Sequence, residues 1–437
     1  MLEILLFFVY LFAILLILLR WKFVLKSDLT SKNILILFSI KLFFSFLLYF
    51  IYTKYYTDRT LADIFKFYDD AKLLYTNIYN NNKTDYWKIV FGIDNDQPSI
   101  FQELKKLQYW FEPNEATSYN DNRIVIRMNL LLFPFTNGFY FTQTLFFSFL
   151  SFIGLIALYR IAKEFLKINQ EKAIISVFLI PSILFWGSGN LKESILLFAL
   201  GLYIFYLFKT LNKPNLSNIS VLITSILILT YTKSYVLLSL IPGTLSLLIS
   251  IGFKIKKTGL IYMLSIFFCI VGLLVISFYI PEYDIIKQIQ TKQIEFNSVA
   301  IEMHAASRIK VPSLDNSIYS ILINSPIALI NTLARPTFFD ATSVLSFFAS
   351  IENLGIYLLV FLGIIFPVKQ TESQKQFIYF SICFTVLLCI FIGLIVPVLG
   401  AIVRYKTPYL PLLYLSLFSL IDFQKIRQKF KIVPNAK

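Results

Sequence analysis

The chain has 437 residues, 57% of them hydrophobic and 17% aromatic, with a mean hydropathy of +0.71. That excludes a soluble globular protein: this is an integral membrane protein before any motif is read. The net charge of +15 would suggest nucleic acid in a soluble chain, but here Lys and Arg gather in short connections between apolar runs, where they set orientation and meet anionic headgroups. The three cysteines, Cys269, Cys383 and Cys389, lie inside apolar runs without metal-ligand spacing, so neither a disulfide framework nor a zinc site is expected.

In chain order, Met1–Leu19 has the apolar core of a signal peptide but no basic segment before it and no small-residue cleavage site before Arg20 and Lys22. It reads as a retained first helix. Apolar windows of about 20 residues predict further spans near 33–53, 139–159, 173–188, 193–208, 217–232, 235–252, 259–280, 352–368, 377–396 and 406–421, about eleven in all. The connections 20–32, 160–172, 209–216, 253–258, 369–376 and the tail 422–437 are basic, with Lys163, Lys167, Lys172, Lys254, Lys256, Lys257, Lys425, Arg427, Lys429 and Lys431 among their cations. By the positive-inside rule they are cytoplasmic, which places the N-terminus outside and the C-terminus inside. The loops 54–138 and 281–351 are then extracytoplasmic, and their apolar pieces Met128–Phe135 and Ile318–Leu333 are expected at the membrane interface. The expectation is an all-α polytopic membrane protein with 1–437 as one membrane domain and a helical extracytoplasmic cap.

The loop 54–138 opens with Thr60-Leu-Ala-Asp63-Ile-Phe-Lys66-Phe-Tyr-Asp69-Asp70. On a helix Asp63 and Asp70 fall within about 20° of each other, Lys66 lies one turn along, and Asp69 points elsewhere. A carboxylate pair on one face serves as general base, orienting partner or metal ligand. Asp63 has a structural alternative, because Thr60 with an acid three residues on fits a helix cap. Asp70 has none, which makes it the preferred base, with Asp63 and then Asp69 behind it. Oxygen ligands would suit Mg²⁺, Mn²⁺ or Ca²⁺, and metal dependence stays open.

Pro181-Ser-Ile-Leu-Phe-Trp186-Gly-Ser-Gly189-Asn-Leu-Lys192-Glu193 is a turn between two apolar runs with adjacent opposite charges at membrane depth. Lys192 is read as facing an anionic headgroup, or snorkelling, with Glu193 beside it and Trp186 packing at the interface or on substrate. Arg335-Pro336 and Arg404-Tyr-Lys406-Thr-Pro408 place cations on the non-cytoplasmic side, where planar guanidinium groups can grip a lipid-linked phosphate. Arg123 and Arg127 are read as headgroup contacts. Lys41 sits within a span with no partner evident in the sequence, and His304, the single histidine, is read as a loop residue beside Glu302. No GxSxG, P-loop, HExxH or CxxC pattern occurs, which argues against the hydrolase, ATPase, zinc-protease and thiol-redox classes.

This arrangement resembles the GT-C class of integral-membrane glycosyltransferases, and the blocks Pro181–Glu193 and Arg404–Pro411 resemble those of multi-spanning proteins from bacterial polysaccharide loci. The resemblance implies a bacterial inner-membrane enzyme working at the extracytoplasmic face. Its partners would be a polyprenyl-phosphate-linked sugar and a glycan or lipid acceptor, with no nucleic acid. In that class the acidic loop follows the first helix; here it follows the second, and an added N-terminal helix would account for the offset. The implied chemistry is inverting transfer, with Asp70 or Asp63 handling the hydroxyl proton and Arg404, Arg335, Lys406 and Lys192 facing the phosphate. An O-antigen-type polymerase relying on arginines is the chemical neighbour. A flippase would need polar residues threaded through several spans.

Overall fold

Backbone amides inside a bilayer have no water to pair with and must be satisfied within their own segment. The chain follows this rule: every named element is helical, and isolated bridges at Arg308–Val398 and Pro367–Ile421 are the extended pairings among the described residues. A computed structural model describes residues 2–56, 58–111, 120–255 and 257–429, without the side chains of Leu61 and Tyr283. Lys256, Lys431 and residues 112–119 of the acidic loop lie outside the described set. Eight helices among the described residues are long and apolar enough to cross a membrane: Leu2–Arg20, Ser31–Lys54, Tyr140–Glu164, Lys192–Asn212, Leu216–Gly252, Thr258–Tyr279, Val344–Ile365 and Glu372–Ile395. The protein is therefore a polytopic helical membrane protein.

Four predicted spans take a different form. The windows 217–232 and 235–252 fall on one 37-residue helix, Leu216–Gly252, interrupted at Lys233, where φ is −153° and ψ is 88°. The window 173–188 is divided into Gln170–Phe178 and Pro181–Trp186, since Pro181 has no N–H to continue the helix and biases the preceding residue away from it. The window 406–421 becomes an 11-residue helix, Leu410–Leu420, preceded by Leu399–Tyr405.

By contacts the chain divides into two compact units, Met1–Arg160 with Ile183–Ser234, and Ile161–Ser182 with Tyr235–Lys437. In the first, the spanning helices carry a helical layer formed by Asp63–Leu74, Lys83–Phe91, Pro98–Leu104 and Asn122–Thr136. Local signals set these bounds. Asn82 accepts from the Asp85 amide to start one helix and Gly92, at φ 74°, ends it; Pro98 opens the next; Asn137 and Gly138, both at positive φ, end the last. The layer has its own core around Phe67, Leu74, Tyr86, Trp110, Ile126 and Phe133. The apolar piece expected at the interface, Met128–Phe135, lies inside Asn122–Thr136 and gives this core Leu130, Leu132 and Phe133. In the second unit, Ile318–Ala334 packs along Glu372–Ile395. The Gln293 amide donates to the carbonyls of Pro312 and Leu394 while its oxygen accepts from the Leu314 amide.

A close helix crossing in the first unit lies between Tyr140–Glu164 and Lys192–Asn212. A Cβ added at Gly154 would sit 2.1 Å from the Leu197 carbonyl oxygen, and one at Gly201 2.1 Å from that of Gly154. Small residues let helix backbones touch where no hydrophobic force separates protein from lipid. Gly154→Ala is therefore expected to lose about 1–3 kcal/mol, measured as a lower unfolding midpoint in detergent. Gly272→Ala, with nothing within 4 Å of the new methyl, should leave the midpoint unchanged.

Candidate functional site

The acidic helix begins at Asp63, with Ala62 as its extended N-cap and no side-chain cap. The cap expected at Thr60 is replaced one step earlier: Asp58 accepts from the Thr60 amide at 2.9 Å and its hydroxyl at 2.6 Å, starting the short turn Arg59–Leu61. The three expected carboxylates then go to three different partners. Asp63 pairs with Lys66 at 3.2 Å, and Asp69 takes a two-point grip from Arg59 at 2.7 and 2.6 Å. Asp70 turns inward, 6% exposed, and accepts the amides of Gln108 at 3.2 Å and Tyr109 at 2.8 Å.

Asp70 thereby fastens the segment 105–111 along the helix. Tyr109 adds a hydroxyl bond to the Thr60 carbonyl at 2.7 Å and places its ring under Lys66. Trp110 is enclosed, and its carbonyl accepts from Asn120 and from Arg123. Burial pushes the Asp70 carboxyl up to about 6, although the two amides favour its charged form; neighbouring Asp69 pushes the same way as burial.

A second knot forms at the Gly187–Asn190 turn. Lys192 pairs with Asp121 and lies 5.4 Å from the ring of Phe67 on the acidic helix. Glu193 pairs with Lys233 at 2.9 Å, with both side chains enclosed. The adjacent charges read together in the sequence thus have separate partners, and Glu193 meets the cation at the helix interruption. Lys41 donates to the Gly187 carbonyl at 2.7 Å. Ser194 donates to the carbonyls of Gly187 and Gly189, Ser148 to that of Ser188, and Asn129 and Asn190 exchange amide bonds. Trp186 is half-buried, edge-on to Phe185.

On another side of the acidic helix lies a cleft of about 670 Å³. Its walls are the aromatic rings of Phe7, Phe46, Tyr49, Tyr68, Tyr75 and Tyr140, with Lys72, Glu3 and Asn137 as polar members. Tyr68 stacks on Phe133 and donates its hydroxyl to the Gly138 carbonyl. None of Asp63, Asp69 or Asp70 lines this cleft. The concentration of Tyr and Phe was the sequence signal for it, but those positions are scattered over five elements.

In the second unit Arg335 holds Asp340 through two bonds, at 3.1 and 2.5 Å, and Thr337 adds its amide and hydroxyl. The Arg335 guanidinium keeps the Asp340 carboxyl low, at about 2. Lys406, 1% exposed, donates to the Arg335 carbonyl at 2.6 Å and to the Asn353 side chain at 3.0 Å. Its amine faces protein, so it holds Arg335 in place instead of reaching outward. Arg404 is half-buried in the last turn of Leu399–Tyr405, and its carbonyl accepts from Thr407. Glu352, unmarked in the sequence reading, is enclosed within Val344–Ile365 and accepts the amide and hydroxyl of Ser182 at 2.8 and 3.0 Å. A lone carboxylate inside a predicted span was the signal for it.

No group of three or more His, Cys, Asp or Glu side chains suited to a metal is present among the described residues. No known protein family's profile matches the chain, and no curated protein or solved structure matches it significantly.

The Asp70 carboxyl yields a pH prediction. Its folded value of about 6 lies above its ordinary 3.8, so between those values the folded protein binds the proton that the unfolded chain releases. Stability from this group therefore falls as pH rises from about 4 to about 6 and stays reduced above that. Thermal midpoints should drop by a few degrees between pH 5 and pH 7.5, and Asp70→Asn should remove that part of the slope. An unchanged slope in Asp70→Asn would assign the pH dependence to other groups.

Proposed function

We propose that this protein is a membrane glycosyltransferase of the GT-C type, with about eleven crossings counting the divided and short helices. It would move a sugar from a polyprenyl-phosphate donor to a lipid or glycan acceptor at the extracytoplasmic face of a bacterial inner membrane. The observation that carries this reading is the aromatic cleft beside the acidic helix. Its rings come from three membrane-length helices, Leu2–Arg20, Ser31–Lys54 and Tyr140–Glu164, and from the helical layer beside them. Aromatic faces suit both sugar C–H surfaces and isoprenoid chains, and Lys72 supplies a cation for a phosphate.

In the reaction an acceptor hydroxyl attacks the anomeric carbon, the bond from that carbon to the phosphate oxygen breaks, and the configuration inverts. The hydroxyl proton passes to a carboxylate. Asp70 suits this role by its proton affinity, raised by burial to about 6. Because it faces the Gln108 and Tyr109 amides and not the cleft, the role requires the 105–111 segment to move aside and admit the acceptor. Lys192, beside the acidic helix, and Lys72 in the cleft would stabilise the phosphate as it takes on charge. Lys406 and Glu193 act on position, through Arg335 and Lys233. Among the described residues no ligand set for Mg²⁺ or Mn²⁺ is assembled.

One observation favours the polymerase alternative, in which arginines and not carboxylates do the chemistry: Asp63, Asp69 and Asp70 all have internal partners, which weakens the case for a carboxylate base. The two readings separate in a transfer assay with purified protein and a polyprenyl-phosphate-linked sugar. Under the transferase reading Asp70→Asn loses about 10²–10⁴ in rate while its unfolding midpoint shows that it is folded. If Asp70→Ala stays active and Arg404→Ala is dead, the polymerase reading replaces it. Absence of transfer by the unmodified protein from any such donor removes both.

A further inference from the structure

Three of the basic connections meet at one place in the second unit. The segment after Glu164, the helix start at Gln374 and the final helix Phe423–Lys429 border a cavity of about 370 Å³. Lys167, Lys172 and Arg427 line it, against Glu171 as the one carboxylate on its wall. The surrounding bonds fix these positions. Lys167 takes a left-handed turn at φ 54°, Asn169 accepts from the Glu171 amide at 3.0 Å, and the Gln374 side chain donates to the Leu166 carbonyl at 2.9 Å.

The charges there are unbalanced. Asp422, the nearby carboxylate, accepts the Gln424 and Lys425 amides and pairs with the Lys425 side chain. Among the described residues, none of Lys167, Lys172 or Arg427 forms an ion pair. The Lys172 amine lies 3.7 Å over the Phe423 ring, half-buried. Burial, and then the Arg427 guanidinium, lower its proton affinity, against the opposite pull of Asp422 and Glu171. Cations that serve only to orient a membrane protein can spread over the surface and point to water. Here Lys172 is half-buried and Lys167 and Arg427, though exposed, border the same polar space, where an incoming anion would relieve their repulsion.

We propose that this cavity binds a phosphate group, held by the Arg427 guanidinium together with Lys172 and Lys167. The phosphate belongs to an anionic lipid headgroup or to a soluble phosphorylated compound. The site is independent of the glycosyltransferase reading, since none of its residues takes part in that chemistry.

The test uses the full-length protein in phosphatidylcholine nanodiscs, with thermal unfolding as readout. Inorganic pyrophosphate is titrated in one arm and the proportion of phosphatidylglycerol is raised in the other. Stabilisation by pyrophosphate in neutral bilayers assigns the site to a soluble phosphate compound; stabilisation by phosphatidylglycerol alone assigns it to a headgroup. In either case Lys172→Gln/Arg427→Gln should shift the midpoint of the response by about tenfold or more, whereas Lys257→Gln, an exposed cation elsewhere, should not. Should the double variant fail to fold, Arg427→Gln alone replaces it, because Arg427 is exposed. No stabilisation by either probe, or a response that the cavity variants keep in full, overturns the proposal.

Discussion

A polar group withdrawn from water must find a partner inside the protein, and the first unit is arranged around one place where several do so. The Gly187 carbonyl receives Lys41 and Ser194, and the next three residues receive Ser148, Ser194 and Asn129. These donors come from Ser31–Lys54, Asn122–Thr136, Tyr140–Glu164 and Lys192–Asn212. The turn itself is only Gly-Ser-Gly-Asn, yet it fixes the register of four helices. Each bond is modest in water, but leaving any one of these groups unpaired at this depth would cost more than the bond contributes.

The same constraint shapes the candidate site. Asp70 is buried because its helix packs against the aromatic core of the layer, and burial is tolerable because two amides point at its oxygens. One carboxylate therefore holds a segment in place and keeps a proton affinity near neutrality. Lys406 shows the opposite outcome: full enclosure gives it carbonyl and amide partners and makes it a support for Arg335.

Much of the architecture was legible in the sequence because hydropathy is a sum over many residues. The long spans and the acidic helix follow from periodicity; the inward turn of Asp70 does not, since the same periodicity put it on one face with Asp63. The partners were not legible, because they depend on tertiary approach. Nothing near Asp70 in the chain points to Gln108 and Tyr109, and nothing near Glu193 points to Lys233, 40 residues on. Thr60 looked like a cap because the pattern was right, but Asp58 reached the amide first. The interruption at Lys233 was read as a turn between two spans, and one discontinuous helix has the same hydropathy as two. The proline at 181 did signal a break, which the apolar average over 173–188 hid.

Lys41 also bears on how the chain is made. Its ammonium lies within Ser31–Lys54, but the carbonyl that receives it is 146 residues further along. At ribosomal speeds the interval between the two is on the order of ten seconds. For that time the helix must be held with a centrally placed Lys, a residue that opposes insertion by about 3 kcal/mol, offset by the apolar residues flanking it. Its entry into the bilayer is thus separated from its final seating, so the helix has to remain mobile against its neighbours until the Gly187 turn has emerged and folded.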